Sequence, residues 1–262
     1  MQPLGMYIAS NSPLPALIAS HSLLQAGCSK VFITSRKSQA CTEACEALNS
    51  LGCSGRAIPI PADLAKTSEI ERLVSEVSKH TDKIDFLLAN AGATWGAPFD
   101  EHPESAFAKV MDLNVKSVFV CCQKFAPMLR KAGTKEDPSR IIITASVVGL
   151  GIGTLGEHGT YGYSASKAAA LSLTKNLAVE LGPQNILTTA ICPGFFPTKM
   201  ASGLMEMTGG TKQLAAETPN QRLGVPEDIA GTIVYLCSRA GSHVNGGHVV
   251  LDGGALIGKS RL

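Results

Sequence analysis

Ile141-Ile142-Ile143-Thr144-Ala145-Ser146-Val147-Val148-Gly149 is the stretch on which the fold turns. Three consecutive isoleucines show no polar alternation, so a strand built from them is apolar on both sides. Such strands belong to parallel sheets covered by helices on both faces. The run ends at Ser146, which sets a hydroxyl at the carboxyl edge of the strand. Ligands of open, doubly wound sheets gather at that edge.

Working outward, short β-branched runs recur at Val31–Thr34, Ala57–Ile60, Ile84–Leu88, Ile186–Ile191 and His248–Leu251, with a brief first strand at Met6–Ile8. Segments of helical period separate them. Ser38 to Leu51 carries Ala44 and Leu48 four apart. Thr67 opens a helix with Ile70, Leu73, Val74 and Val77 on one face. One long helix is expected from Pro103 to near Gly133, another from Tyr163 to Leu181, and a third from Pro226 to Cys237. The alternation contains no internal repeat. It predicts a single α/β domain over residues 1–262, a doubly wound, Rossmann-like parallel sheet flanked by helices.

Composition narrows the function classes. The 262 residues are 45% hydrophobic and 17% charged, with 26 glycines and 14 prolines, which excludes collagen, coiled coil and disordered tail alike. A net charge of +2 supplies no field for nucleic acid or an anionic membrane. No apolar run reaches the ~18 residues of a membrane span. The N-terminus lacks a basic segment and is interrupted by Pro13 and Pro15, so no signal peptide is expected. The eight cysteines form no C-x-x-C pair and share no ligand spacing with the six histidines. This predicts no metal site, and reduced thiols in a cytoplasmic protein.

Tyr163-Ser164-Ala165-Ser166-Lys167 carries the strongest chemical signal. Positions i and i+4 share a helical face, so phenol and ammonium point into one pocket. A nearby ammonium favours phenolate, which predicts a Tyr163 pKa lowered from its usual ~10. Asn90 follows the fourth strand in Ala89-Asn90-Ala91-Gly92. Asn114 sits inside a helix, where asparagine is a poor choice, and Pro193-Gly194 precedes Thr198.

With N-A-G, L-N-V, S-x-x-G, Y-x-x-x-K and P-G-x-x-x-T in this order, the chain resembles a short-chain dehydrogenase/reductase from about Cys28 to Gly254. Within that family it is most similar to members near the rhamnolipid-type β-ketoacyl reductases. The NAGATWGAPF stretch and the wide gap from Ser146 to Tyr163 carry this. The resemblance implies roles. Tyr163 would protonate a substrate carbonyl oxygen, and Ser146 would bind that oxygen. Lys167 would lower the Tyr163 pKa and hold the nicotinamide ribose, and Asn114 would position a water that relays protons to Lys167. Asp63 would contact adenine, Asn90 the adenosine-side ribose, and Thr198 the nicotinamide or phosphate side. The second strand exits through Ser35, Arg36 and Lys37, with two cations and no acid. An acid there suits the ribose of NAD, whereas a guanidinium suits the 2′-phosphate of NADP, so NADP(H) is the expected cofactor.

One family motif is absent. The glycine-rich phosphate loop, T-G-x-x-x-G-x-G, should occupy residues 9–16. This chain has Ala9-Ser10-Asn11-Ser12-Pro13-Leu14-Pro15-Ala16, with no glycine and with two prolines that remove amide donors. Three readings stand open. The first residues come from another exon or a misplaced start. Alternatively, the loop binds NADP through Ser10, Asn11 and Ser12, or the chain binds a ligand or partner without catalysis. Residues 195–220 correspond to a substrate lid. Phe195, Phe196, Met200, Leu204, Met205 and Met207 there suggest an acyl, polyketide or terpenoid carbonyl of secondary metabolism, against plain loop packing. His158 reads as an exposed loop histidine. The family further implies a homodimer or homotetramer built through the two long helices. The sequence therefore predicts an NADP-dependent oxidoreductase, with a catalytically impaired binding or scaffold protein as the alternative.

Overall fold

The computed structural model describes residues 4–8, 13–197 and 210–258. Strands β1 (Leu4–Ile8), β2 (Lys30–Thr34), β3 (Arg56–Pro59), β4 (Phe86–Ala89), β5 (Ser139–Thr144), β6 (Ile186–Pro193) and β7 (His248–Leu251) form one sheet of order β3-β2-β1-β4-β5-β6-β7. All six pairings are parallel. The winding reverses between β1 and β4, and the crevice at their carboxyl ends is where such sheets take ligands.

The isoleucine run explains the layering. Successive strand side chains point to opposite faces. Ile141 and Ile143 join a core with α3 (Thr67–Ser78), α5 (Ser117–Ala132) and α6 (Tyr161–Leu181). Ile142 joins the opposite core with α1 (Pro13–Gln25), α2 (Ser38–Asn49) and α8 (Pro226–Cys237). Phe32 and Leu87 repeat the first choice, and Val31, Ile33, Phe86 and Leu88 the second. Two further α-helices occur among the described residues, α4 (Glu104–Met111) and α7 (Gly210–Glu217).

Three local readings change. The first strand starts at Leu4, two residues before the expected Met6. Pro13 and Pro15 do not break the chain into a loop; they fill the first turn of α1. First-turn amides have no partner inside a helix, so proline is tolerated there. Finally, the long helix expected from Pro103 runs unbroken to Ala132 but changes its winding at a π turn, Asp112–Lys116, between α4 and α5.

β3 lies at the sheet edge, where unpaired backbone groups invite aggregation. Asn49 covers it. Its Nδ2 donates to Ala57 O at 3.0 Å, and Ala57 N donates to its Oδ1 at 2.8 Å, so the amide stands in for a neighbouring strand. Asn49→Ala is expected to lower unfolding free energy by about 1–2 kcal/mol, since two hydrogen bonds of about 1 kcal/mol each are lost at a half-exposed site. Urea denaturation checks this; an unchanged midpoint contradicts it. No helix among the described residues is long and apolar enough to cross a membrane, and no cluster of metal-binding side chains occurs among them.

Candidate active site

α6 begins at Tyr161 and carries Tyr163 and Lys167, four residues apart, on one face. The loop after β5 lies directly on that helix. A Cβ on Gly149 would stand 2.7 Å from the Lys167 backbone, so only glycine permits the approach. Buried Ser146 lies beside Tyr163 and favours its phenolate; the Ser146 hydroxyl donates to Pro193 O at 3.5 Å and accepts Val148 N at 3.4 Å. Lys167 is fully buried. Its Nζ donates to Thr144 O at 2.7 Å and sits 5.5 Å from the centre of the Tyr163 ring.

The electrostatics reverse one expectation. Burial pushes the Tyr163 phenol above its ordinary value, and Ser146 opposes this only in part. Burial also pulls the Lys167 ammonium down, from 10.5 to about 8, with Cys192 acting weakly the other way. Lys167 therefore does not lower the Tyr163 pKa here. Desolvation acts on both groups, and the ammonium is aimed at Thr144 O instead of the phenolic oxygen. At neutral pH the pair is a neutral phenol beside a charged ammonium. That is the state a proton donor needs.

Asn114 is brought to the same place by the π turn, which carries its side chain inward. Ala93 N donates to Asn114 Oδ1 at 2.8 Å. Asn114 Nδ2 donates to Ala93 O at 2.9 Å and to Ser166 Oγ at 2.8 Å, and Ser166 donates onward to Tyr163 O at 2.7 Å. Asn114 Oδ1 and Lys167 Nζ both lie within 4 Å of the point where a Gly92 Cβ would stand. Asn90 joins through Thr144, whose Oγ1 donates to Asn90 Oδ1 at 2.9 Å. Thr144 and Ser166 were not singled out from the sequence. Ser166 stands inside the Tyr163–Lys167 motif, at a position where a small polar residue facing the sheet was a usable signal. His158 is exposed, as expected of a loop histidine.

The second group gathers at the exits of β2 and β3. Ala62 N donates to Ser35 O at 3.0 Å, which extends the pairing past the strands and sets Asp63 beside the turn that carries exposed Arg36. The Asp63 carboxylate accepts Ala65 N at 3.3 Å. Thr198 and residues 9–12 of the expected phosphate loop lie outside the described residues.

These residues fit a dinucleotide at its two ends. Lys167 has three N–H donors and one acceptor among the described residues, so a buried ammonium has donors left for ribose hydroxyls. At the carboxyl end of β2, the buried Thr34 hydroxyl has no hydrogen-bond partner among the described residues. At the first turn of α1, the prolines leave the amides of Leu14 and Ala16 as donors for an anion.

A family model described as enoyl-(acyl carrier protein) reductase matches residues 16–255. The 3-oxoacyl-acyl-carrier-protein reductase of rhamnolipid biosynthesis from Pseudomonas aeruginosa is 36% identical over 236 residues, which cover 90% of this chain and 89% of that one. The chain is a short-chain dehydrogenase/reductase. This dehydrogenase/reductase is also 32% identical to the short-chain dehydrogenase/reductase PhomF′ of Diaporthe leptostromiformis, over 77% of this chain and 75% of that one. The solved structure of the Pseudomonas aeruginosa RhlG/NADP active-site complex superposes with a TM-score of 0.88 at 33% identity, covering 97% of this chain and 96% of that one. The short-chain dehydrogenase/reductase fold is thus shared across nearly the whole chain, and the family is one of oxidoreductases.

Proposed function

We propose that this short-chain dehydrogenase/reductase reduces the carbonyl of a hydrophobic small molecule with NADPH, and oxidises the alcohol in reverse. An acyl, polyketide or terpenoid intermediate of secondary metabolism is the proposed substrate. The observation that carries the reading is the Tyr163–Ser146–Lys167 group at the carboxyl edge of β5, where a partly exposed, protonated phenol stands beside buried Ser146 and a buried, charged ammonium.

NADPH, when bound, supplies the hydride. Tyr163 gives its phenolic proton to the substrate oxygen, and Ser146 donates a hydrogen bond to the negative charge that gathers there. Lys167 holds the nicotinamide ribose and returns a proton to Tyr163. Asn114 keeps the Ala93 loop and α6 in register and holds a relay water toward Lys167. Asp63 and Asn90 take the adenine and the adenosine-side ribose, and Thr198 the nicotinamide or phosphate side. Arg36 takes the 2′-phosphate, in keeping with the NADP named for the RhlG complex. Trp95 is exposed on the loop after β4, and Ile152 and Leu155 on the loop between β5 and α6, which supports an apolar substrate; of the proposed lid at residues 195–220, residues 198–209 lie outside the described residues. Phe107, Phe119 and Val179 are exposed on α4, α5 and α6 and support a homodimer or homotetramer through those helices. Cytoplasmic residence accords with eight unpaired thiols.

Incubating the protein with NADPH and a panel of β-ketoacyl thioesters, cyclic ketones and keto-sugars tests the reading. NADPH oxidation with the apolar ketones supports it, and bound NADPH with no turnover on any of them overturns it. The prolines in the first turn of α1 favour a second reading, a binding protein without catalysis, and this predicts no NADPH binding at all. Arg36→Glu tests cofactor choice separately. Loss of a charge-assisted phosphate contact is expected to reduce the NADPH-over-NADH preference in kcat/KM by about 10- to 100-fold. An unchanged preference contradicts the assignment of Arg36.

A further inference from the structure

Cys41 lies on the first turn of α2, almost wholly buried at 1% exposure, directly beneath the turn that carries Arg36. Its sulfur is 3.3 Å from Ser35 Oγ and donates to Ser35 O at 3.7 Å. Ser35 Oγ in turn accepts Lys37 N at 3.3 Å and faces Lys37 O at 3.3 Å, while Cys41 N donates to Lys37 O at 3.1 Å. The Ser35 hydroxyl is therefore turned into the loop, toward the thiol and the Lys37 backbone, and not outward beside Arg36. Every one of these bonds fixes the backbone on either side of Arg36.

We propose that Ser35 and Cys41 form a buried clasp that holds the Ser35–Lys37 turn, making Cys41 a positioning residue for recognition of the 2′-phosphorylated adenosine end of the cofactor. The proposal rests on the NADP reading above and refines it, since it gives Ser35 the part of supporting the turn that carries Arg36. A flexible side chain such as arginine loses freedom when it grips a phosphate. A turn already fixed by the clasp leaves only the side chain to be ordered on binding, and this favours NADP over NAD. NAD lacks the phosphate and gains nothing from the clasp.

The test uses the full-length protein as wild type, Cys41→Val and Cys41→Ser. Valine keeps the volume and removes the sulfur bonds, and serine keeps a donor and an acceptor. NADPH and NADH affinities come from nicotinamide fluorescence titration, and exchange of the Lys37 and Cys41 amides comes from hydrogen–deuterium exchange of the ligand-free protein. Cys41→Val is expected to weaken NADPH binding about fivefold with NADH unchanged, the effect of one net hydrogen bond, and to speed exchange at both amides. Cys41→Ser is expected to restore most of the preference. Equal changes for both dinucleotides, or unchanged amide exchange, overturn the proposal and leave NADP use intact. A wild type that binds neither dinucleotide overturns the cofactor reading and the clasp's role with it.

Discussion

A Tyr163→Phe variant is expected to lose carbonyl reduction by about 10³-fold or more, in the range found when a positioned general acid is removed. Phenylalanine keeps the ring that lies beside Lys167 Nζ. Only the hydroxyl goes, and with it the proton that meets the substrate oxygen. Ser146 remains to polarise the carbonyl, so residual activity is expected to be small but measurable. The fold is expected to stay within about 1 kcal/mol, because the Ser146 hydroxyl retains Pro193 O as an acceptor, at 3.5 Å. Single-turnover kinetics with saturating ketone, together with a thermal melt, separate the two effects. A variant that keeps a tenth or more of the wild-type rate removes Tyr163 from the chemistry.

Lys167→Met is expected to abolish turnover and, in the same protein, to raise stability. The ammonium is held without a carboxylate at 4% exposure, with one carbonyl as acceptor. Burial takes its pKa from 10.5 to about 8. Between those values the unfolded chain binds more protons than the folded one, so stability rises with pH through that window, and below about 8 the full deficit applies. At 1.36 kcal/mol per unit the deficit is roughly 3 kcal/mol. Methionine fills the same volume without charge but leaves Thr144 O unbonded, a loss of about 1 kcal/mol. The expected net gain at neutral pH is about 1–2 kcal/mol, roughly 3–6 °C in Tm for a chain of this size. It should shrink as the pH approaches the unfolded value of the lysine. Calorimetry of both proteins from neutral to alkaline pH checks magnitude and sign; a variant less stable at neutral pH contradicts the account. This is the pattern of a site kept at the expense of the fold.

How far the sequence reached depends on whether local pattern or distant burial decides each feature. The Ile141–Ile143 run was enough for a doubly covered parallel strand, because strand period and hydropathy are local. Tyr163 and Lys167 were equally legible, since four residues on a helix fix a shared face whatever surrounds it. The direction of the Tyr163 shift was not. It depends on desolvation by parts of the chain that meet only in the fold, which no spacing reveals. The π turn escaped for a similar reason. Asn114 looks like a misplaced helical residue until Ala93 and Ser166, far away in sequence, supply its partners. Ser35 stands beside Arg36 where the second strand exits, and no local pattern shows that Cys41, six residues on, turns its hydroxyl inward. Pro13 and Pro15 looked like loop residues and proved to be helix starters, because the helix period of α1 is carried by the residues after them.

The account depends most on a dinucleotide occupying the crevice between β1 and β4, in a chain whose first loop has no glycine. Fluorescence titration of the wild-type protein with NADPH and NADH tests this directly. Saturable NADPH binding in the micromolar range, with NADH at least tenfold weaker, is the predicted result. Absence of NADPH binding up to millimolar concentration contradicts it and leaves a short-chain dehydrogenase/reductase fold that no longer holds its cofactor.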